Sequence, residues 1–255
     1  AEYYLYKGKS VQQNVLNWDT WVRKLYEFDG IIFDESSPNF DERNKHIKVN
    51  YRLAQPYCAA YAASEHIGIF YDDWEKSLAY IEDHIGWGFA HELGHVMDLS
   101  TRMYGECTNN VISKYEEVVL SKLATRGDFD ITFNCMKYDV HDTPCWEKSK
   151  WNFLIFWHIE SFYPGYWAEL EVLYRYGGLD FTGLTKTEKM VYVTSLVLKI
   201  NASPYFERFG FYYSEDSKIG PFTYSASTES FKNVMNNPKI KNVEFPKIWY
   251  FDEKQ

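Results

Sequence analysis

Gly86-Trp87-Gly88-Phe89-Ala90-His91-Glu92-Leu93-Gly94-His95 joins a glycine break to an apolar run that carries two histidines four positions apart. On a helix, positions i and i+4 project from one face about one turn from each other. His91 and His95 can therefore grip one zinc ion, while Glu92 points toward the coordination position that a catalytic zinc keeps for water. Phe89, Ala90, Leu93, Val96, Met97 and Leu99 supply the apolar faces of a buried helix over residues 89–99.

A catalytic zinc takes three protein ligands. Position 101, six residues after His95, is Thr, which argues against the arrangement with a third His or Asp at that spacing. Asp98 follows His95 by three residues and reads as a partner that orients its ring; the alternative is a solvated carboxylate. Glu106 is the better third ligand. The interval 97–105 can end the helix and reverse the chain, and Gly105 gives the backbone freedom to aim Glu106 back at the metal from the start of a second helix. Asn109 and Asn110 lie one turn later, where one of them could hold a ligand carboxylate or imidazole; the alternative is ordinary surface polarity. For a developing oxyanion the sequence offers Tyr104, His141, His158 and Tyr205 without choosing among them. His158, in an apolar Trp157-His158-Ile159 run, is the most interesting of these, although its surroundings favour a core histidine.

At 255 residues the chain can bury a large core. Its formal net charge of −9, with no dense Lys/Arg run, excludes a phosphate-tracking surface and makes nucleic acid an unsuitable partner. No apolar run reaches the roughly 20 residues that span a bilayer. Aromatics make up 19% of residues, a surplus that either fills the core or lines a surface that stacks on sugars or extended peptides. Cys58, Cys107, Cys135 and Cys145 are too few for a disulfide scaffold and lack zinc-ribbon spacing. Cys135 and Cys145 flank a polar loop and can form a local bridge, or stay as two buried thiols.

The order of elements points to an α+β, helix-rich chain. Trp18, Trp21, Val22 and Leu25 fall at helical spacing; residues 30–33, 46–49 and 67–71 read as strands. Residues 67–71 immediately precede the helices of the motif, as a cleft wall would, and this strand with Gly68 is the candidate open edge for an extended substrate. A helix is expected over 74–81, then the break at Gly86-Trp87-Gly88. Pro164 reads as a first-turn proline before Trp167, Leu170 and Leu173, stopped by Gly177-Gly178. Thr185 with Glu188 forms a capping box before Met190, Val193 and Val197. After about residue 214 the tail is polar, with weak strand signals at 222–224 and 243–245. The expected division is a mixed lobe over 1–85, a helical lobe over 86–213 and an extension over 214–255.

The metal motif, together with Gly105-Glu106-Cys107-Thr108-Asn109-Asn110, resembles the enhancin-like, mucin-degrading peptidases, the M-sixty family of gluzincins. Ser203-Pro204-Tyr205-Phe206-Glu207-Arg208-Phe209-Gly210-Phe211 is similar to that family's distal signature. Tyr166-Trp167-Ala168-Glu169-Leu170 with Leu173-Tyr174-Arg175 is similar to its intervening helix. The resemblance covers roughly residues 15–212. It implies His91, His95 and Glu106 as zinc ligands, Glu92 as catalytic base, and a gluzincin fold with a small mixed-sheet lobe, a helical lobe and a cleft between them. It also implies an extracellular peptidase acting on O-glycosylated, mucin-type polypeptides, a monomeric catalytic domain within a larger chain. A general zinc peptidase with no sugar requirement, and a dead peptidase fold that only binds, are the competing readings.

Overall fold

The computed structural model describes residues 10–31, 36, 48–53, 60–63, 66–69, 85–98, 107–122, 153–211 and 221–243. Packing divides the chain into two units, Ala1–Asp98 with Thr108–Arg126, and Leu99–Cys107 with Gly127–Gln255.

The first unit opens with α1 (Val11–Phe28), capped by Ser10, whose side chain accepts the Gln13 N–H at 3.2 Å. Of the stripe expected from spacing, Trp18, Trp21 and Leu25 are buried and Val22 is half-buried, and Tyr26 joins them in the core. The helix stops in a Schellman turn: Gly30, at φ 65°, bonds to the Glu27 carbonyl and Ile31 to the Tyr26 carbonyl. Ile31, expected to open a strand, is thus the buried residue that seals a helix end. Residues 32–33 lie outside the described residues, as do 46–47 and the helix expected over 74–81.

Three strands, β1 (Lys48–Leu53), β2 (Ala60–Ala63) and β3 (His66–Ile69), form a sheet of order β1-β3-β2. β3 runs parallel to β1 and antiparallel to β2. The strand expected as an open edge is therefore the central one: Gly68 pairs with Tyr61 of β2, and Ile67 pairs with Val49 of β1. This corrects the assignment of Gly68 to a substrate-binding edge. The sequence conceals the covering strand, because Ala60-Tyr61-Ala62-Ala63 has no β-branched residue to mark it. Among the described residues β2 is an outer strand, and it packs against the motif helix.

That helix, α2 (Trp87–Met97), begins directly after Gly86, whose φ of 78° suits only glycine, so Gly88 lies within the helix and not in a break. α3 (Thr108–Tyr115) runs on into one π-helical turn, Glu116–Leu120. α1 packs across both: Trp18 meets Phe89 edge-on at 4.7 Å and Phe28 stacks on Tyr115 at 3.7 Å.

The second unit holds α4 (Phe153–Phe162), α5 (Tyr166–Tyr176), α6 (Lys186–Leu198), α7 (Ser203–Arg208) and α8 (Glu229–Met235). Its core is aromatic: Phe156 lies 5.5–5.9 Å from Trp167, Phe206 and Phe211, and all four are fully buried. These aromatics fill the interior and do not form a sugar-stacking surface. Pro164 precedes α5 without entering it; Gly165, at φ 96°, is the cap residue, and Glu160 accepts the N–H groups of Gly165 and Trp167 at 3.0 and 2.9 Å. No strand forms at 222–224, where Tyr224–Ala226 is a single 3-10 turn, and α8 follows where only polar tail was expected; of the signal at 243–245, Val243 is not in a strand and residues 244–245 lie outside the described residues. No described helix is long and apolar enough to cross a membrane.

Thr185 and Glu188 form the full capping box of α6. The same Glu188 carboxylate accepts the Thr228 N–H at 2.7 Å and its hydroxyl at 3.1 Å, and Thr228 caps α8. Thr185→Ala removes one cap and is expected to cost about 1 kcal/mol. Glu188→Ala strips partners from both helix starts and is expected to cost about 2–3 kcal/mol in urea denaturation. Equal losses would mean that α8 does not draw on Glu188.

Candidate metal centre

The centre is built where α2 and α3 touch. A Cβ added at Gly94 would fall 2.7 Å from the Cα, 2.8 Å from the Cβ and 2.9 Å from the carbonyl oxygen of Asn109. Only glycine admits that approach, and it seats Asn109 and Asn110 of α3 against the histidine face of α2. Both asparagines are buried, while His91 and His95 are partly exposed.

The rings of His91 and His95 lie 4.8 Å apart and nearly perpendicular, at 88°. Asn110 Oδ1 is 2.7 Å from His91 Nδ1. Asn109 Nδ2 lies 3.0 Å from His91 Nε2, 2.9 Å from His95 Nε2 and 3.1 Å from His91 Nδ1. Asn110 Oδ1 can only accept, so His91 donates its Nδ1–H to it. With Asn110 fixing the His91 ring from behind, His91 Nε2 is the nitrogen that can carry a lone pair, and two imidazoles on one face of α2 are donors that suit a divalent metal of the zinc type. The residues present therefore fit a metal ion.

Glu92, adjacent to His91 on α2, is 8% exposed, so its carboxylate is largely withdrawn from bulk water. Asp98 accepts the Thr108 hydroxyl at 2.8 Å, tying the end of α2 to the start of α3. Among the described residues no group of three or more His, Cys, Asp and Glu side chains surrounds a common point. Glu106 lies outside the described residues, as do Tyr104, His141, Cys58, Cys135 and Cys145. Cys107 is buried. Glu116, which the motif does not reveal, holds the front of α2: its carboxylate accepts the Gly86 N–H at 3.3 Å and the Ser121 hydroxyl. A glycine cap with no side chain of its own was the signal that a distant acceptor was needed.

His158 and Tyr205 are together in the second unit, both fully buried. Tyr205 donates its hydroxyl to the Ile155 carbonyl at 2.9 Å and accepts His158 Nδ1–H at 2.8 Å. Burial pushes the His158 imidazole down to about 3, so it is neutral in ordinary buffer and belongs to the core.

Two histidines flanking a glutamate on one helix, with a second helix against it at a glycine contact, have the residue types and spacing of a metallopeptidase class of site. Residues 7–210 match the family described as peptidase M60, enhancin and enhancin-like, and the chain belongs to that family. Solved structures share the fold. The M60 catalytic domain of Clostridium perfringens ZmpC, in complex with the sialyl T antigen, is 20% identical with a TM-score of 0.64, covering 98% of this chain and 47% of that one. The CBM32-1, CBM32-2 and M60 catalytic domains of Clostridium perfringens ZmpB give 22% identity and a TM-score of 0.63, covering 96% and 26%. A conserved Bacillus anthracis protein of unknown function gives 16% and 0.55, covering 92% and 51%. The chain thus spans about half or less of these relatives. No curated protein matches it significantly.

On an open helix, Gly→Ala stabilises by up to about 1 kcal/mol. Gly94→Ala is expected to do the reverse and cost about 1–3 kcal/mol, because α3 must move off α2; an unchanged or raised Tm would refute the contact. A second expectation concerns pH. The folded-state value of His158 is depressed from 6.5 to about 3, so its contribution to stability is complete above 6.5 and is lost as pH falls toward 3, where the unfolded chain takes up a proton that the folded one refuses. Denaturation of His158→Gln between pH 7 and pH 4 should show a shallower decline than the parent chain.

Proposed function

We propose that this chain is a secreted zinc endopeptidase that hydrolyses peptide bonds in O-glycosylated, mucin-type proteins. The observation that carries the reading is the pair of imidazoles on one face of α2, His91 and His95, with ring centroids 4.8 Å apart, Glu92 between them in sequence and Asn110 bonded to His91 Nδ1. His91, His95 and Glu106 would hold the metal. When bound, zinc supplies Lewis-acid polarisation of the scissile carbonyl and lowers the pKa of water.

The chain's own groups supply the rest. Glu92 takes the proton from the attacking water and passes it to the leaving amine. Its near-burial shelters that transfer from bulk solvent, and Asn110 keeps His91 in the tautomer that leaves Nε2 free to bind. β2, packed on α2 as an outer strand, is the edge along which an extended peptide would pair in a cleft beside the motif helix. The glycan half of the proposal draws support from the family and from the ZmpC domain, which was solved with a sialyl T antigen.

Mass spectrometry of a mucin-type glycopeptide and its unglycosylated twin, with and without chelator, tests this reading. Chelator-sensitive cleavage of the glycopeptide alone is expected, with loss of at least 1,000-fold in Glu92→Ala, on the order expected for a general base. Cleavage of both peptides would make it a general zinc peptidase. Cleavage of neither by zinc-loaded protein would leave a binding module.

A further inference from the structure

Polar contacts join α2 to α3 level by level, and as residue numbers rise along α3 they fall along α2. At one end Thr108 donates its hydroxyl to Asp98 at 2.8 Å. Asn110 then meets His91 at 2.7 Å, and Ser113 donates its hydroxyl to the Trp87 carbonyl at 3.2 Å. At the far end Glu116 accepts the Gly86 N–H at 3.3 Å. Asn110, Ser113 and Glu116 are three residues apart, so each is the next one's neighbour on the helix surface, and all are buried. The Gly94 crossing fixes how closely the two helices approach, whereas the contacts at the ends fix how far one has slid along the other. A slide of one residue, about 1.5 Å, is enough to misalign the Asn110–His91 bond.

Glu116 is an expensive way to hold a helix start if stability is its whole purpose. It is fully buried, and one oxygen takes both the Gly86 N–H and the Ser121 hydroxyl. The other, Oε2, is buried with no hydrogen-bond partner among the described residues. An apolar residue of similar volume would pack there without the desolvation penalty of a carboxylate. The backbone also leaves α-helical geometry at this residue: the π-helical turn opens at Glu116, and its carbonyl accepts the Ser121 N–H at 2.8 Å. That turn brings the Ser121 side chain back onto the Glu116 carboxylate. Single π-helical turns are frequent at functional sites.

We propose that Glu116 is a positioning residue of the metal centre. By holding the Gly86 N–H it sets where α2 stops along α3, and through that it keeps Asn110 in register with His91. It touches neither metal nor substrate, and Ser113 supports it from the next turn. This inference rests on the reading of His91 and His95 as metal ligands.

The experiment is titration of the full chain with zinc against a competing chromophoric chelator, for the parent, Asn110→Ala, Glu116→Ala, the double variant and Glu116→Gln, at a temperature where all are folded. Asn110→Ala is expected to bind zinc roughly 10- to 100-fold more weakly. Glu116→Ala is expected to lose roughly 10-fold, and the double variant to bind no more weakly than Asn110→Ala alone, because Glu116 acts through the Asn110 bond. Glu116→Gln keeps an acceptor of the same reach and is expected to stay within about 3-fold of the parent. Zinc affinity unchanged in Glu116→Ala with only a lower Tm, or losses that multiply in the double variant, would overturn the proposal. Should Glu116→Ala fail to fold, Glu116→Asp carries the same comparison, since it keeps the charge but falls a methylene short of Gly86. A parent affinity unmoved by His91→Ala would overturn the metal reading itself, and the proposal with it.

Discussion

The contact between Gly94 and the backbone of Asn109 governs the geometry of the centre. A helix that presents two histidines at ligand spacing needs something behind them to hold the rings, and here α3 does so only because α2 has no side chain at the crossing. Move α3 out by the width of a methyl group and Asn110 no longer reaches His91. The glycine within His-Glu-Leu-Gly-His is thus part of the centre without touching a ligand atom. α1 braces the same helix pair, with Trp18 on Phe89 and Phe28 on Tyr115, so the aromatic stripe of the first helix serves the alignment of the second and third.

A second device recurs in both units: buried glutamates begin helices to which they do not belong. Glu116 serves α2, Glu160 serves α5, and Glu188 serves both its own helix and α8. A carboxylate near a helix N-terminus gains from the backbone dipole and accepts unpaired N–H groups through charge-assisted bonds. Two of the helices concerned start at glycines with no capping side chain, Gly86 and Gly165. Their first turns are held by tertiary partners, which couples the position of the motif helix to the packing of the π-helical turn that carries Glu116.

That coupling explains what could be read from the sequence. α6 was legible because Thr185 and Glu188 lie three residues apart and cap locally. α1 was legible because four large residues repeat at helical spacing. The start of α2 was not, since its cap comes from a residue 30 positions away. β2 escaped because alanines carry no strand signal, and missing it turned the central strand into an apparent edge. In the centre, the i, i+4 histidines and the two asparagines followed from spacing. The bond of Asn110 to His91, and the reason for Gly94, are matters of approach between helices that no one-dimensional pattern encodes. His158 illustrates the converse: an imidazole in an apolar run offers the same letters whether it meets substrate or, as here, a buried tyrosine.

The central claim is that His91 and His95 converge on a metal. X-ray absorption at the zinc edge of the zinc-loaded chain tests it most directly. The account predicts first-shell scattering from two imidazole nitrogens and from oxygen at about 2.0–2.2 Å, with one imidazole lost in His95→Ala. Sulfur scattering near 2.3 Å, or a spectrum unchanged by that substitution, would place the metal elsewhere and contradict it.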